Sequence, residues 1–389
     1  MANNWAIIIG INFYQRHPER RLKFAVQDAE LMYDFLCNSA KFPPEHIFLC
    51  LGDEAHQNSQ NYPIFSNILG LLTQNLHPDR IGQVDRFWFF FAGHGISRNG
   101  KDYLMTSDSL VEDIDLRIAL SLNEVIACLR NHQNAEIVLI LDSCRQTIGS
   151  RDFTNSIGEE TIQLAKSRGI TTIFSCNYGQ FSHELDSKEH GSFTYSLVEG
   201  LKQYTLPTQL ENYLQKYVPK LNAEDNKSSN QTPIIRIEPV SKVNDFLLPQ
   251  FASKADLDEI ISLANREELK DHFDKASDLW WKVIRVSYSE EQKVLAQEAI
   301  ERINDKKSKL LAQETIERIN NQKTLDSDSA TRNFLGKGNP TKNSPKPIPK
   351  PNGKIEYMNP GDWKKPEKLD SPDKSWLSRV FHYIFDEKD

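Results

Sequence analysis

Two side chains in this sequence could together perform nucleophilic chemistry. His94 is the last residue but one of the stretch "DRFWFFFAGHG" (85–95), and Cys144 ends the run "EIVLILDSC" (136–144). Each follows a continuous apolar run of the kind that fills a buried strand. A thiol with a pKa near 8.5 is mostly protonated at neutral pH, and a nearby imidazole can take its proton or stabilise the thiolate. Gly93 and Gly95 would leave the imidazole uncrowded by its own backbone neighbours. A tetrahedral intermediate needs two donors for its oxyanion, and the backbone N–H groups of Gly95 and Cys144, both on strand-end turns, are candidates. Taken singly, a histidine after a strand is usually a packed or solvated loop residue, and a lone cysteine is usually a small buried hydrophobe. The pair carries the reading. Of the other thiols, Cys128 lies on the apolar stripe of "LNEVIACL" and reads as core. Cys176 ends a strand too, but no His-Gly motif precedes it at matching spacing.

The elements that must hold this pair are legible up to about residue 250. "WAIIIGI", "HIFLCLG", "RFWFFFA", "AEIVLILD", "ITTIFSC" and "PIIRIEP" read as six strands. "LKFAVQDAELMYDFL", "YPIFSNILGLLTQNL", "LNEVIACLRN", "FTYSLVEGLKQ" and "TQLENYLQKYV" have helical spacing. Continuous apolar strands separated by amphipathic helices predict an α/β fold, a mainly parallel sheet covered on both faces. Active residues in such folds sit beyond the carboxyl ends of the strands, where His94 and Cys144 both stand.

Beyond residue 250 the composition changes. Residues 251–325 read as all helix and contain an internal repeat, "VLAQEAIERINDKK" followed 16 residues later by "LLAQETIERINNQK". In one unbroken helix a 16-residue shift turns the equivalent face by about 160°. The helix therefore folds back near Asn304–Ser308, is clasped on both sides, or carries a duplicated segment of no consequence. Residues 326–389 form a Pro/Lys-rich segment, "NPTKNSPKPIPKPNGK", that reads as a disordered tether. It ends in an amphipathic helix at 375–387, with Trp376, Leu377, Val380, Phe381, Ile384 and Phe385 on one stripe. With few basic residues beside it, a protein partner or the chain's own core suits this helix better than an anionic membrane.

The 389 residues carry a net charge of −7, which disfavours nucleic acid as a partner. Five widely spaced cysteines without a C-x-x-C pair disfavour a zinc site or a dense disulfide framework. The N-terminus reads as a first strand, with no basic lead-in of a signal peptide, and nothing is long enough to span a membrane. A cytoplasmic, reducing location is the expectation.

On "FFFAGHG" and "LDSCRQ", in that order on the third and fourth strands and fifty residues apart, the chain resembles the caspase/metacaspase superfamily, specifically its bacterial metacaspase-like (orthocaspase) branch. The resemblance covers about residues 4–245. "GITTIFSCNYGQ", "HGSFTYSLVEGL" and "QTPIIRIEP" resemble the opening strand, the helix and the closing strand of the smaller catalytic segment. It implies a caspase-like six-stranded sheet in a catalytic domain of residues 1–250, with a large segment of about 1–150 and a small segment of about 169–250. It implies a Cys-His endopeptidase, Cys144 being the nucleophile and His94 the base, working in stress, cell-death or defence proteolysis. Asp142 stands where caspases proper carry glutamine, and "LKFAVQDA" puts Asp28 at the metacaspase position for a second acid. Two carboxylates in one pocket suit an arginine or lysine side chain. Ala92, where many metacaspases have serine, and Ser175 complete the implied substrate pocket. Self-cleavage is expected in the connection after Cys144, at Arg151 or Lys166. No cofactor is required. Calcium could bind Asp108 and Asp113 in "SDSLVEDIDL" through hard oxygen ligands, but the family's later paired acids are replaced by "ALSLNEV". The expected partners are peptide or protein substrates with Arg or Lys at the cleavage site, and a regulatory protein bound through 251–389. The competing function is a catalytically silent caspase-like scaffold, against which stands the presence of both His94 and Cys144.

Overall fold

A computed structural model of the chain describes residues 2–110, 118–143 and 158–335, with side chains as far as 323. The first half runs β1 (Asn4–Ile11), α1 (Ala25–Asp34), β2 (Ile47–Gly52), α2 (Phe65–Gly70), α3 (Pro78–Ile81) and β3 (Arg86–Ala92). Then come β4 (Gly95–Arg98), β5 (Lys101–Leu104), β6 (Leu120–Ser121), α4 (Leu122–Leu129) and β7 (Glu136–Asp142). The next stretch is α5 (Glu159–Arg168), β8 (Thr171–Phe174), β9 (Glu184–Leu185), β10 (His190–Gly191), α6 (Ser192–Leu201), α7 (Pro207–Glu224) and β11 (Ile234–Arg236). Three helices follow: α8 (Lys254–Leu269), α9 (Phe273–Val286) and α10 (Glu290–Leu335).

Six strands form one sheet in the order β11-β8-β7-β3-β1-β2. All neighbours are parallel except β11, which runs antiparallel to β8. This is the caspase-like, mainly parallel sheet the sequence predicts. Every residue of β1 and of β3 is buried, because helices cover both faces. On one face Phe87, Phe89 and Phe91 pack with α2 and α4; on the other Trp88 and Phe90 pack with α1, α6 and α7. The alternation of a period-2 strand thus divides the aromatic run between two cores.

Three features depart from the sequence reading. Helix α1 starts only at Ala25, with Leu22–Phe24 outside it. The connection expected as a polar loop before β8 contains α5, a helix with only Thr161 and Ala165 buried. Two small sheets, β4-β5-β6 and β9-β10, accompany the main one. Helices α8 and α9, and α10 as far as residue 317, belong to one compact unit with the sheet. Packing is continuous across residue 250. Buried Asp256 receives the backbone N–H groups of Thr205 and Leu206 and the Thr205 hydroxyl, while also capping α8 with Ser253. Leu206 and Phe246 belong to the apolar core of α8, α9 and α10.

Helix α10 is unbroken over the repeat, so it does not fold back. Ala296, Ala299, Ile300 and Ile303 of the first copy are buried against α8 and α9. Their counterparts Ile316 and Ile319 in the second copy are exposed, as a rotation of about 160° requires. The amphipathic stretch 375–387 lies outside the described residues.

Candidate active site

The register of the sheet brings the two motifs together. Ala92 at the end of β3 pairs with Asp142 at the end of β7, and the next residue, Gly93, donates its N–H to the Asp142 carbonyl at 3.1 Å. His94 therefore leaves the sheet beside the strand end that leads through Ser143 to Cys144. Cys144 itself lies outside the described residues.

His94 is held from two sides. Its backbone N–H donates to the Tyr14 hydroxyl at 2.8 Å, and its ring Nε2 lies 2.7 Å from the Arg20 carbonyl oxygen. A carbonyl can only accept, so Nε2 carries the hydrogen and Nδ1 carries the lone pair. Burial pushes the imidazole below its ordinary value, the Arg20 carbonyl acting in the opposite direction. Burial thus favours the neutral ring, whose Nδ1 can accept a proton. Gly93 serves a purpose other than the freedom expected of it. A Cβ there would fall 2.8 Å from the Phe91 ring and 2.8 Å from the Tyr14 hydroxyl, so glycine permits the close packing that fixes the turn.

Gly95 opens β4 opposite Leu104, and the Met105 N–H bonds to the His94 carbonyl beside them. That makes Gly95 and Leu104 a non-hydrogen-bonded pair, and the ladder leaves the Gly95 N–H unused. An N–H in this position can serve as an oxyanion donor.

A cleft beside His94 is lined by Asp28, Ala92, Gly93, Asp142, Ser143, Ser182, His183, Glu184 and Gly191, among others. Asp28, from α1, and Asp142 are both buried and both face Gly191. A Cβ built on that glycine would stand 2.6 Å from Asp28 Oδ2 and 3.0 Å from Asp142 Oδ2. The Gly191 N–H donates to both oxygens of Asp28. His190 Nδ1 stands 3.3 Å from Asp28 Oδ1, near enough for charge attraction though not aligned as a hydrogen bond. Asp142 receives the hydroxyls of Ser182 and Thr194, each at 2.6 Å. Burial pushes Asp28 up to about 7, with the Asp142 charge adding to it and His190 and Gly191 opposing. Burial raises Asp142 as well, against the hydroxyls that bond it.

Ala92 lines this cleft. Ser175 does not: it is fully buried and its hydroxyl donates to the Ser143 carbonyl. Lys166 lies in the last turn of α5. Arg151 and Asp113 lie outside the described residues. Asp108 accepts the Phe65 N–H and the Thr106 hydroxyl, and no group of three or more His, Cys, Asp or Glu residues is placed to hold a metal among the described residues. Sequence reasoning missed Tyr14, Ser182, Thr194, His190 and Gly191. Only the "HG" before α6 gave a signal, a glycine where a helix begins.

The family model of the caspase domain matches residues 3–243, well over half of the chain. The chain belongs to the caspase-domain family. The expected resemblance over about 4–245 coincides with that match. A "probable protease" from a Desulfuromonadales bacterium is 26% identical over 222 residues, which cover 51% of this chain and 26% of the relative. The chain thus spans about a quarter of the length of that curated relative. Among solved structures, caspase-1 from Spodoptera frugiperda has 12% identity and a TM-score of 0.38, over 61% of this chain and 86% of that one. The caspase domain ends before α8, so the helices α8 to α10 are an addition to it. No described helix is long and apolar enough to cross a membrane.

Proposed function

We propose that the protein is a cysteine endopeptidase that cleaves after arginine or lysine. The observation that carries the reading is one cleft lined at once by His94, Asp28, Asp142 and Gly191. In this reading the Cys144 thiol gives its proton to His94 Nδ1, and the thiolate attacks the scissile carbonyl. The Gly95 N–H, with that of Cys144, receives the oxyanion. The imidazolium then returns the proton to the leaving amine, and water hydrolyses the thioester. The substrate's cationic side chain lies between Asp28 and Asp142, whose charges compensate its desolvation. Self-cleavage at Arg151 or Lys166 belongs to the same specificity. The setting we propose is regulated stress, cell-death or defence proteolysis, with residues 251–389 binding a regulator or target.

The test is a comparison of arginyl, lysyl and aspartyl fluorogenic peptides, with and without calcium, alongside Cys144→Ala. Cleavage of the two basic peptides and none by Cys144→Ala is expected. A preference for the aspartyl peptide, or activity in Cys144→Ala, overturns the reading.

A further inference from the structure

A buried glutamine stands behind the acidic cleft. Gln231 precedes β11, is fully inaccessible, and makes five hydrogen bonds. Its Oε1 accepts the His183 N–H at 3.1 Å, the Ser192 hydroxyl at 2.9 Å and Asn222 Nδ2 at 2.9 Å. Its Nε2 donates to the Ser175 carbonyl at 3.1 Å and to Ser182 Oγ at 3.1 Å. The orientation of the amide is fixed by chemistry. A backbone N–H can only donate and a carbonyl can only accept, so His183 and Ser175 together identify Oε1 and Nε2 without ambiguity.

The consequence falls on Ser182. A serine hydroxyl has one hydrogen and two lone pairs. Its oxygen takes the Gln231 N–H, so its own hydrogen is directed to Asp142 Oδ1, 2.6 Å away. The relay therefore runs Gln231 to Ser182 to Asp142 in a single direction. The same side chain ties together the end of β8 at Ser175, the strand-end loop at His183, the start of α6 at Ser192, and α7 at Asn222. Those are the segments that carry Ser182, Gly191 and Thr194 around the two carboxylates.

We infer that Gln231 is a positioning residue for recognition of the substrate's basic side chain, acting through the Ser182 hydroxyl on Asp142. The inference rests on the proposed arginine/lysine specificity. Gln231 touches neither substrate nor the reacting atoms. A hydrogen bond to a charged group is worth enough to change affinity about tenfold or more.

The experiment uses the full chain with Gln231→Met, Ser182→Ala and the double variant. Each is measured for kcat/KM on arginyl and lysyl peptides, and for labelling of Cys144 by a small uncharged thiol-reactive probe. Gln231→Met is expected to lower kcat/KM about tenfold, chiefly through KM, with the labelling rate unchanged. Ser182→Ala should do the same, and the double variant should be no worse than the poorer single one, because both break one relay. Equal loss of labelling and cleavage in Gln231→Met would show a merely structural role and overturn the inference. So would additive losses in the double variant. Should Gln231→Met fail to fold, Ser182→Ala alone decides: full activity there leaves Gln231 nothing to act through. Failure of the underlying reading is separate, since it would appear in the unmodified protein as no preference for basic over aspartyl peptides.

Discussion

Gly191→Ala is the sharpest probe of the acidic cleft. The backbone at Gly191 has φ −63° and ψ 136°, a conformation any L-residue adopts. Alanine is therefore not strained there by its backbone. The cost comes from the methyl group alone, which would lie 2.6 Å from Asp28 Oδ2 and 3.0 Å from Asp142 Oδ2, inside contact distance of both. To accommodate it the Asp28 carboxylate must turn away or β10 must retreat, and either breaks the pair of bonds from the Gly191 N–H. Overpacking of this kind costs about 1–3 kcal/mol of stability. The functional loss should be larger. A methyl group between the carboxylates would occupy the place proposed for the substrate cation, and losing a buried charge-assisted pair costs about 2–5 kcal/mol, roughly 30-fold to several thousand-fold. The assay is kcat/KM on arginyl and lysyl peptides, paired with the rate at which a small uncharged thiol-reactive probe labels Cys144. Cleavage should collapse while labelling stays near normal. Near-normal cleavage of arginyl peptides by a folded Gly191→Ala protein would refute the placement of the substrate cation between Asp28 and Asp142.

Other outcomes follow from the same geometry. His94→Ala should abolish peptide cleavage while leaving the thermal transition cooperative, as followed by circular dichroism. For arginyl peptides kcat/KM should climb as pH rises through about 7, because Asp28, pushed up to about 7 chiefly by burial, must ionise to meet the cation; Asp28→Asn should remove that limb. The folded value lies above the ~3.9 of an unfolded aspartate, so this group's stabilisation is complete below about pH 4 and is lost as pH rises through about 7. Asp28→Asn should accordingly gain in Tm relative to the unmodified protein between pH 5 and pH 8. Glu268 is held down to about 2 by Arg302 and Lys306, so the anchoring of α10 is present above about pH 4.3 and is lost as pH falls toward 2. An acid titration of helicity should show this step, and Glu268→Gln should lack it. Deleting 326–389 removes no catalytic group, and near-normal hydrolysis of small peptides is expected.

The sheet was legible because its strands are buried on both faces and read as unbroken apolar runs, "WAIIIGI" and "RFWFFFA" above all. The same logic located His94, since a strand that stops at Ala92 must release the next residues at its carboxyl end. What escaped were elements built from few or polar residues. β9 and β10 have two residues each. α5, "EETIQLAKSR", buries so little that its helical period is hardly marked. The acid pocket was half legible. Asp142 ends a visible strand and Asp28 lies in a recognisable segment. Their partners Ser182 and Thr194 are ordinary small polar residues, 40 and 52 positions from Asp142, with nothing local to mark them. Gly191 belongs to the same class, because its need for glycine arises from two carboxylates distant in sequence and not from its own φ.

Two carboxylates buried in one cleft cannot both be charged at little cost. Each is desolvated, and Asp142 adds its own charge to the field that raises Asp28. The hydroxyls of Ser182 and Thr194 and the N–H of Gly191 offset part of this. A guanidinium or ammonium group entering the cleft supplies the missing positive charge and draws off the remaining proton. An uncharged side chain supplies no such compensation, and an acidic one would add a third negative charge to a site already short of positive ones. On the proposed specificity, discrimination would come from the proton balance of the empty cleft as much as from contacts in the filled one. It requires that Asp28 and Asp142 stay dry and close together, and the absence of a side chain at Gly191 allows that spacing.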